Sequence, residues 1–143
     1  MITIEIARAL RKAGLEWHPA SGDAFRIERP DLDSDVFHVS EMTIEPHQFD
    51  TGTILGFNGT TEWALDSLAL EDALWLPRED QLRGLLGDAF QVLQRVPDAG
   101  YRVDLEAEGL MTDFDASSVA DAYGRALLWL LRLRAGTVAE GSA

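Results

Sequence analysis

Cysteine is absent from the 143 residues of this chain, and lysine occurs once, at Lys12. Without thiols there is no disulfide, no thiolate metal ligand and no cysteine nucleophile, and such a chain suits a reducing compartment. Long apolar runs are missing too. The longest, Ala126 to Leu131, falls far short of the roughly 20 residues that a membrane-spanning helix needs. The opening Met1-Ile2-Thr3-Ile4-Glu5-Ile6 carries an acid inside its apolar run and no basic residue ahead of it, so it does not read as a secretory leader. The expectation is a cytoplasmic protein with no membrane partner.

Phosphate-binding loops are also lacking. No Gly-x-x-x-x-Gly-Lys-Ser/Thr or Gly-x-Gly-x-x-Gly segment occurs, and no Gly-x-Ser-x-Gly elbow marks a serine nucleophile. No motif calls for a cofactor. Cations are scarce: 12 Lys and Arg stand against 25 Asp and Glu, a net charge of −13. That field repels a phosphate backbone, so no nucleic-acid partner is expected. No Pro/Gly/Ser-rich linker divides the chain. The reading is one domain over 1–135 with a loose tail at 136–143.

What is present is a folding sequence. A hydrophobic fraction of 46% in a chain of this length supports a core without staples. Thr3 opens a short helix that Gly14 ends, and Ala24 to Glu28 reads as a strand. Asp35 to Ile44 reads as an extended segment whose alternation changes phase near Ser40-Glu41. Glu45 to Phe49 and Thr53 to Phe57 read as a hairpin turning at Asp50-Thr51-Gly52. Thr61 to Leu74 reads as one or two helical turns. Leu76-Pro77-Arg78-Glu79-Asp80 opens a helix with proline at its first position, Leu82, Leu85 and Leu86 on its apolar face and Gly87 as its stop. Phe90 to Val96, Tyr101 to Ala107 and Leu110 to Phe114 then form a three-stranded meander. Ser117 or Ser118 caps a long helix to about Arg134, striped by Val119, Ala122, Tyr123, Ala126, Leu127 and Leu130. The fold class is therefore α+β. An antiparallel sheet, made of the N-terminal strands and the meander, packs against the long C-terminal helix, with short N-terminal and middle helices. On that helix Trp129 and Leu133 serve the core in the first reading and a homodimer surface in the second.

Chemistry-bearing residues are few. Phe49-Asp50-Thr51-Gly52-Thr53 spells the Asp-Thr-Gly signature of aspartic proteases, in which two such carboxylates share a proton to activate water. One copy would have to act as a homodimer, and Ile54-Leu55-Gly56 follows too closely to fold back behind it. The same tripeptide is an ordinary hairpin turn. Glu45 and His47, two apart on a strand, are the one geometric hint of a metal site, with Pro46 between them marking an edge. No His-x-His or His-Glu-x-x-His spacing supports it. Trp17 and Trp63 stand in irregular segments, where an indole serves either as a lid over the core or as a recognition anchor, and Trp75 reads as core.

The stretches Gly56-Phe57-Asn58-Gly59-Thr60-Thr61-Glu62-Trp63-Ala64-Leu65-Asp66-Ser67 and Ala73-Leu74-Trp75-Leu76-Pro77-Arg78-Glu79-Asp80-Gln81-Leu82 resemble a group of small actinobacterial proteins labelled pilus assembly protein CpaE. The likeness runs from the first helix to the last, and arginine in place of lysine suits a GC-rich genome. The large ATPases of that name carry a Walker loop, which this chain lacks. The resemblance therefore implies a family of small domains and transfers no functional residue.

Function is bracketed by charge. Glu28 to Asp50 holds seven acids and one arginine, which makes Asp31, Asp33 and Asp35, with Trp17 and Trp63, the expected contact for a basic protein partner. The leading expectation is a non-enzymatic binding or accessory protein of the immunity or antitoxin kind. The alternatives are a small hydrolase, metal-dependent or aspartic, built on Asp50, Glu45 and His47, and a structural homodimer.

Overall fold

A computed structural model describes residues 1–28, 35–39, 44–49, 52–57, 67–69 and 72–142. They fall into two compact units. One is Trp17–Leu76; the other joins Met1–Glu16 to Pro77–Ala143.

In the second unit, helix α1 (Ile4–Lys12) buries Ala7 and Leu10. Its end is dictated by Gly14, whose φ of 105° suits the left-handed position of a Schellman stop. There the Gly14 amide donates to the Arg11 carbonyl and the Leu15 amide to that of Leu10, both at 3.0 Å. Thr3 holds the cap position with an extended backbone, but its side chain makes no cap hydrogen bond. Helix α2 (Glu79–Leu86) starts two residues later than proline at its first position would imply. Arg78 is the cap and its amide donates to the Gln81 side chain at 2.9 Å, half of a capping box, so Pro77 stays outside the helix. Leu82 and Leu86 are buried while Leu85 is exposed, because an i, i+4 pair suffices to face α3.

A single 3₁₀ turn, Gly87–Ala89, leads into the meander of β7 (Phe90–Val96), β8 (Gly100–Ala107) and β9 (Leu110–Ala116), paired antiparallel in the order β7-β8-β9. Helix α3 (Val119–Ser142) follows, capped by Ser118, whose hydroxyl accepts the Asp121 amide at 3.1 Å. It buries Ala122, Tyr123, Ala126, Leu127 and Leu130 and packs against β8, β9, α1 and α2. Gly124 permits a close approach to α1, since a Cβ there would lie 2.7 Å from Ile6 Cγ2. The helix continues to Ser142 rather than stopping near Arg134, so Arg125, Arg132 and Arg134 are interior to it and do not cap its end. Trp129 turns toward the sheet, its ring 6.4 Å from that of Phe114. Burial on this face pushes the Tyr123 phenol above its ordinary pKa.

The α+β class is thus realised as the meander packed on a long C-terminal helix. The N-terminal strands form two further three-stranded sheets of their own.

In the Trp17–Leu76 unit, β1 (Ala24–Ile27) lies between β2 (Val36–His38) and β6 (Ala73–Leu76). Phe25 pairs with Phe37 on one side and Trp75 on the other. These rings pack with Trp17, Ile27, Val39 and Ala73 into a core, which accounts for Trp75 as a packing residue. The second sheet is the hairpin β3 (Ile44–Phe49) and β4 (Gly52–Phe57) extended by β5 (Ser67–Ala69). Pro46 falls on β3, an edge strand, as a missing amide requires. Where the segment Thr61 to Leu74 is described, Ser67–Ala69 and Ala73–Leu76 are strands, and helical backbone is confined to a 3₁₀ position at Asp72. An apolar run as short as Ala73-Leu74-Trp75-Leu76 has no period to read, and its pairing with β1 decides its form.

Candidate functional site

Polar side chains in the described residues serve two ends. Some are buried and hold the fold. Asp23 is 2% exposed, and one of its carboxylate oxygens accepts the Trp17 indole N–H at 2.9 Å and the Ala20 amide at 3.0 Å. Trp17, expected to meet a partner, is itself buried and stacked 5.3 Å from Phe25, so its ring is a core element.

The other set lies on the outer face of the meander. Along β8, Val103 and Leu105 turn inward and are buried, which sends Arg102, Asp104 and Glu106 to the opposite face by the period of two. Register then fixes their neighbours. Arg102 faces Asp115 on β9 and Gln94 on β7; Asp104 faces Asp113 and Val92; Glu106 faces Met111. Four carboxylates therefore share this surface with one cation.

That cation is committed. Arg102 donates from Nε to Asp115 at 2.7 Å and from its terminal nitrogen at 3.1 Å, a bidentate pair. It stands 3.9 Å from Asp113. The hydrogen bond from Arg102, more than its charge alone, holds the Asp115 carboxyl below the usual range, and the same bond raises the Arg102 pKa. Arg125, from α3, also donates to the Asp115 carbonyl. Asp104 takes a long contact from Gln94, 3.4 Å, and also feels the charge of Arg102. Directly opposed like charges on a sheet are unfavourable, and at the facing of Asp104 and Asp113 the nearby charge of Arg102 offsets part of that repulsion. Val92 and Met111 lie exposed beside them.

The expected site residues fall only in part among the described residues. Asp35 is exposed, while Asp31, Asp33, Asp50 and Trp63 lie outside the described residues. Glu45 and His47 are on β3, opposite Gly56 and Ile54. Among the described residues no three His, Asp or Glu side chains converge to hold a metal ion. The meander face was overlooked in the sequence, although Arg102-Val103-Asp104-Leu105-Glu106 and Met111-Thr112-Asp113-Phe114-Asp115 alternate charge with apolar residues at strand period. No family model, no curated protein and no solved structure matches this chain.

Proposed function

We propose that the protein is a non-enzymatic binding protein that takes a basic protein partner on the outer face of its meander. The observation that carries this reading is the facing of Asp104 and Asp113 on a sheet face where four carboxylates share one arginine, whose bidentate partner is Asp115. An unfavourable like-charge pair becomes favourable once a cation lies over it. The net charge of −13 adds a long-range field that speeds encounter with a basic surface. A three-stranded sheet face offers area rather than a cleft, which suits recognition more than catalysis.

The test is affinity capture from host lysate on immobilised protein, comparing wild type with Asp104→Asn/Asp113→Asn. Wild type should retain a protein of pI above about 9, released by raised salt as screening shortens the field, and the double variant should lose it. Retention of no basic protein, or equal retention by both baits, rejects the reading.

A further inference from the structure

We infer that the outer edge of β7 pairs with the same edge of a second copy, antiparallel about a two-fold axis at Gln94, joining two three-stranded meanders into one continuous sheet. The inference goes beyond the acidic-face reading and does not depend on it, because it uses the rim of the sheet and not its face.

A sheet edge presents a row of backbone N–H and C=O groups whose chemical complement is another strand. The meander has two such edges, β7 and β9. They are guarded unequally. Strand β9 carries Asp113 and Asp115, charges of the kind that keep edges apart, and Arg125 donates to its Asp115 carbonyl. Strand β7 reads Phe90-Gln91-Val92-Leu93-Gln94-Arg95-Val96, with no proline, no acid and a single charge. Among the described residues its strand partner is β8 alone. A bulge between Phe90 and Val92 interrupts its start, and the pairing from Val92 to Val96 is regular. Along that stretch Val92, Gln94 and Arg95 are exposed, Val92 by 46%.

Charge and symmetry select a second copy as the occupant. At a net charge of −13, two copies repel each other wherever their carboxylates meet. Across a β7–β7 pair the acidic rows of the sheet do not meet. The nearest, on the two β8 strands, stand three strand spacings apart, roughly 14 Å, beyond the screening length of about 8 Å.

A two-fold axis normal to the sheet keeps outer side chains on the outer face, so it passes at a residue and not between two. On β7 the outer row is Val92, Gln94 and Val96, set against Asp104, Arg102 and Gly100. An axis at Arg95 would bring two guanidinium groups together, and one at Leu93 would run the pairing into the bulge. With the axis at Gln94, each Val92 lies opposite Val96 of the other copy, a β-branched pair. The two Gln94 carboxamides then face each other, and each can donate and accept. The contact that Gln94 makes to Asp104, at 3.4 Å, is long enough to be given up.

A pairing this short makes a small interface, so the dimer exchanges with monomer and its share rises with concentration. Sedimentation velocity of the full chain from about 1 μM to about 1 mM covers weak association. Wild type should move from monomer to dimer mass, and amides of Val92 to Val96 should gain protection from hydrogen exchange as concentration rises. Gln94→Lys sets two ammonium groups face to face at the axis and should weaken association by roughly tenfold or more. Leu110→Lys makes the same charge change on β9 and should associate as wild type. Val92→Ser removes the valine contact without adding charge and keeps the test open should Gln94→Lys not fold; it should weaken association severalfold. A chain that stays monomeric at about 1 mM overturns the inference, as does association unchanged in Gln94→Lys or, where that variant does not fold, in Val92→Ser. Association lost in Leu110→Lys and kept in Gln94→Lys would assign the other edge and overturn it too. None of these outcomes touches the basic-partner reading, which Asp104→Asn/Asp113→Asn tests separately.

Discussion

The Thr3 amide donates to Asp121 Oδ1 at 2.8 Å, a bond that joins the start of α1 to the first turn of α3 across 118 residues of sequence. Asp121 is buried, and a carboxylate there also suits the positive end of α3. Because Thr3 does not cap α1 with its own side chain, the remote carboxylate anchors that helix end. Asp121→Ala should cost about 1–3 kcal/mol, as for a lost hydrogen bond to a charged group. Asp121→Asn keeps an acceptor and should cost less than half as much. Urea unfolding reads both values, and hydrogen exchange at the first turn of α1 should accelerate in the alanine variant.

Two turn glycines separate backbone strain from collision. Gly100 has a φ of 90°, and a Cβ on it would stand 2.5 Å from the Ala116 carbonyl oxygen and 2.8 Å from Ser117 Cα. Those are backbone atoms, so the strand junction would have to move. At Gly109 the φ is 79° and nothing lies within 4 Å. Gly109→Ala should therefore cost about 1 kcal/mol for the left-handed backbone alone, and Gly100→Ala substantially more. Equal losses in thermal unfolding would contradict the close approach at Ala116.

Acid sensitivity should centre on the Arg102–Asp115 pair. The folded pKa of Asp115 is depressed, chiefly by the hydrogen bond from Arg102. A depressed carboxyl contributes stability that is fully present above its unfolded pKa, about 3.9, and lost as pH falls through the folded value. Both side chains are 35% exposed, so the contribution is modest and salt-sensitive. Carboxyl NMR titration should place the Asp115 midpoint below that of an ordinary aspartate. Arg102→Gln should return it toward normal and flatten the stability loss below about pH 4. An unshifted midpoint in wild type would exclude the bidentate pair in solution.

The C-terminal elements were legible because their punctuation is local. Pro97-Asp98-Ala99-Gly100 and Glu108-Gly109 demand turns, and Ser118 offers a cap oxygen next to a run with helical period. The strands β5 and β6 were not legible, since three- and four-residue apolar segments acquire their form from the strand they join. Likewise, α3 passes Gly136, where a Cβ would meet nothing within 4 Å, so the glycine is tolerated inside the helix. For the site, sequence composition drew attention to the acids between Glu28 and Asp50. Alternating charges along β8 and β9 read as an ordinary solvated face. What distinguishes them is register, which sets Asp104 against Asp113, and register is a property of two turns and three strands together.

That register yields a prediction that separates binding from stability. If the facing of Asp104 and Asp113 served the fold, neutralising one of them would weaken it. Opposed like charges instead predict that Asp104→Asn raises stability by about 0.2–1 kcal/mol, the range for a cross-strand pair. The gain should be larger at low ionic strength and shrink as salt screens the repulsion. The Gln94 contact to Asp104, at 3.4 Å, is long enough for asparagine to replace it without loss. Urea unfolding at two salt concentrations reads the effect directly. A stabilised variant that no longer retains the basic partner would show that this carboxylate is kept at the expense of the fold. A destabilised variant would return Asp104 to a structural role and remove the physical ground for the acidic face as a binding surface.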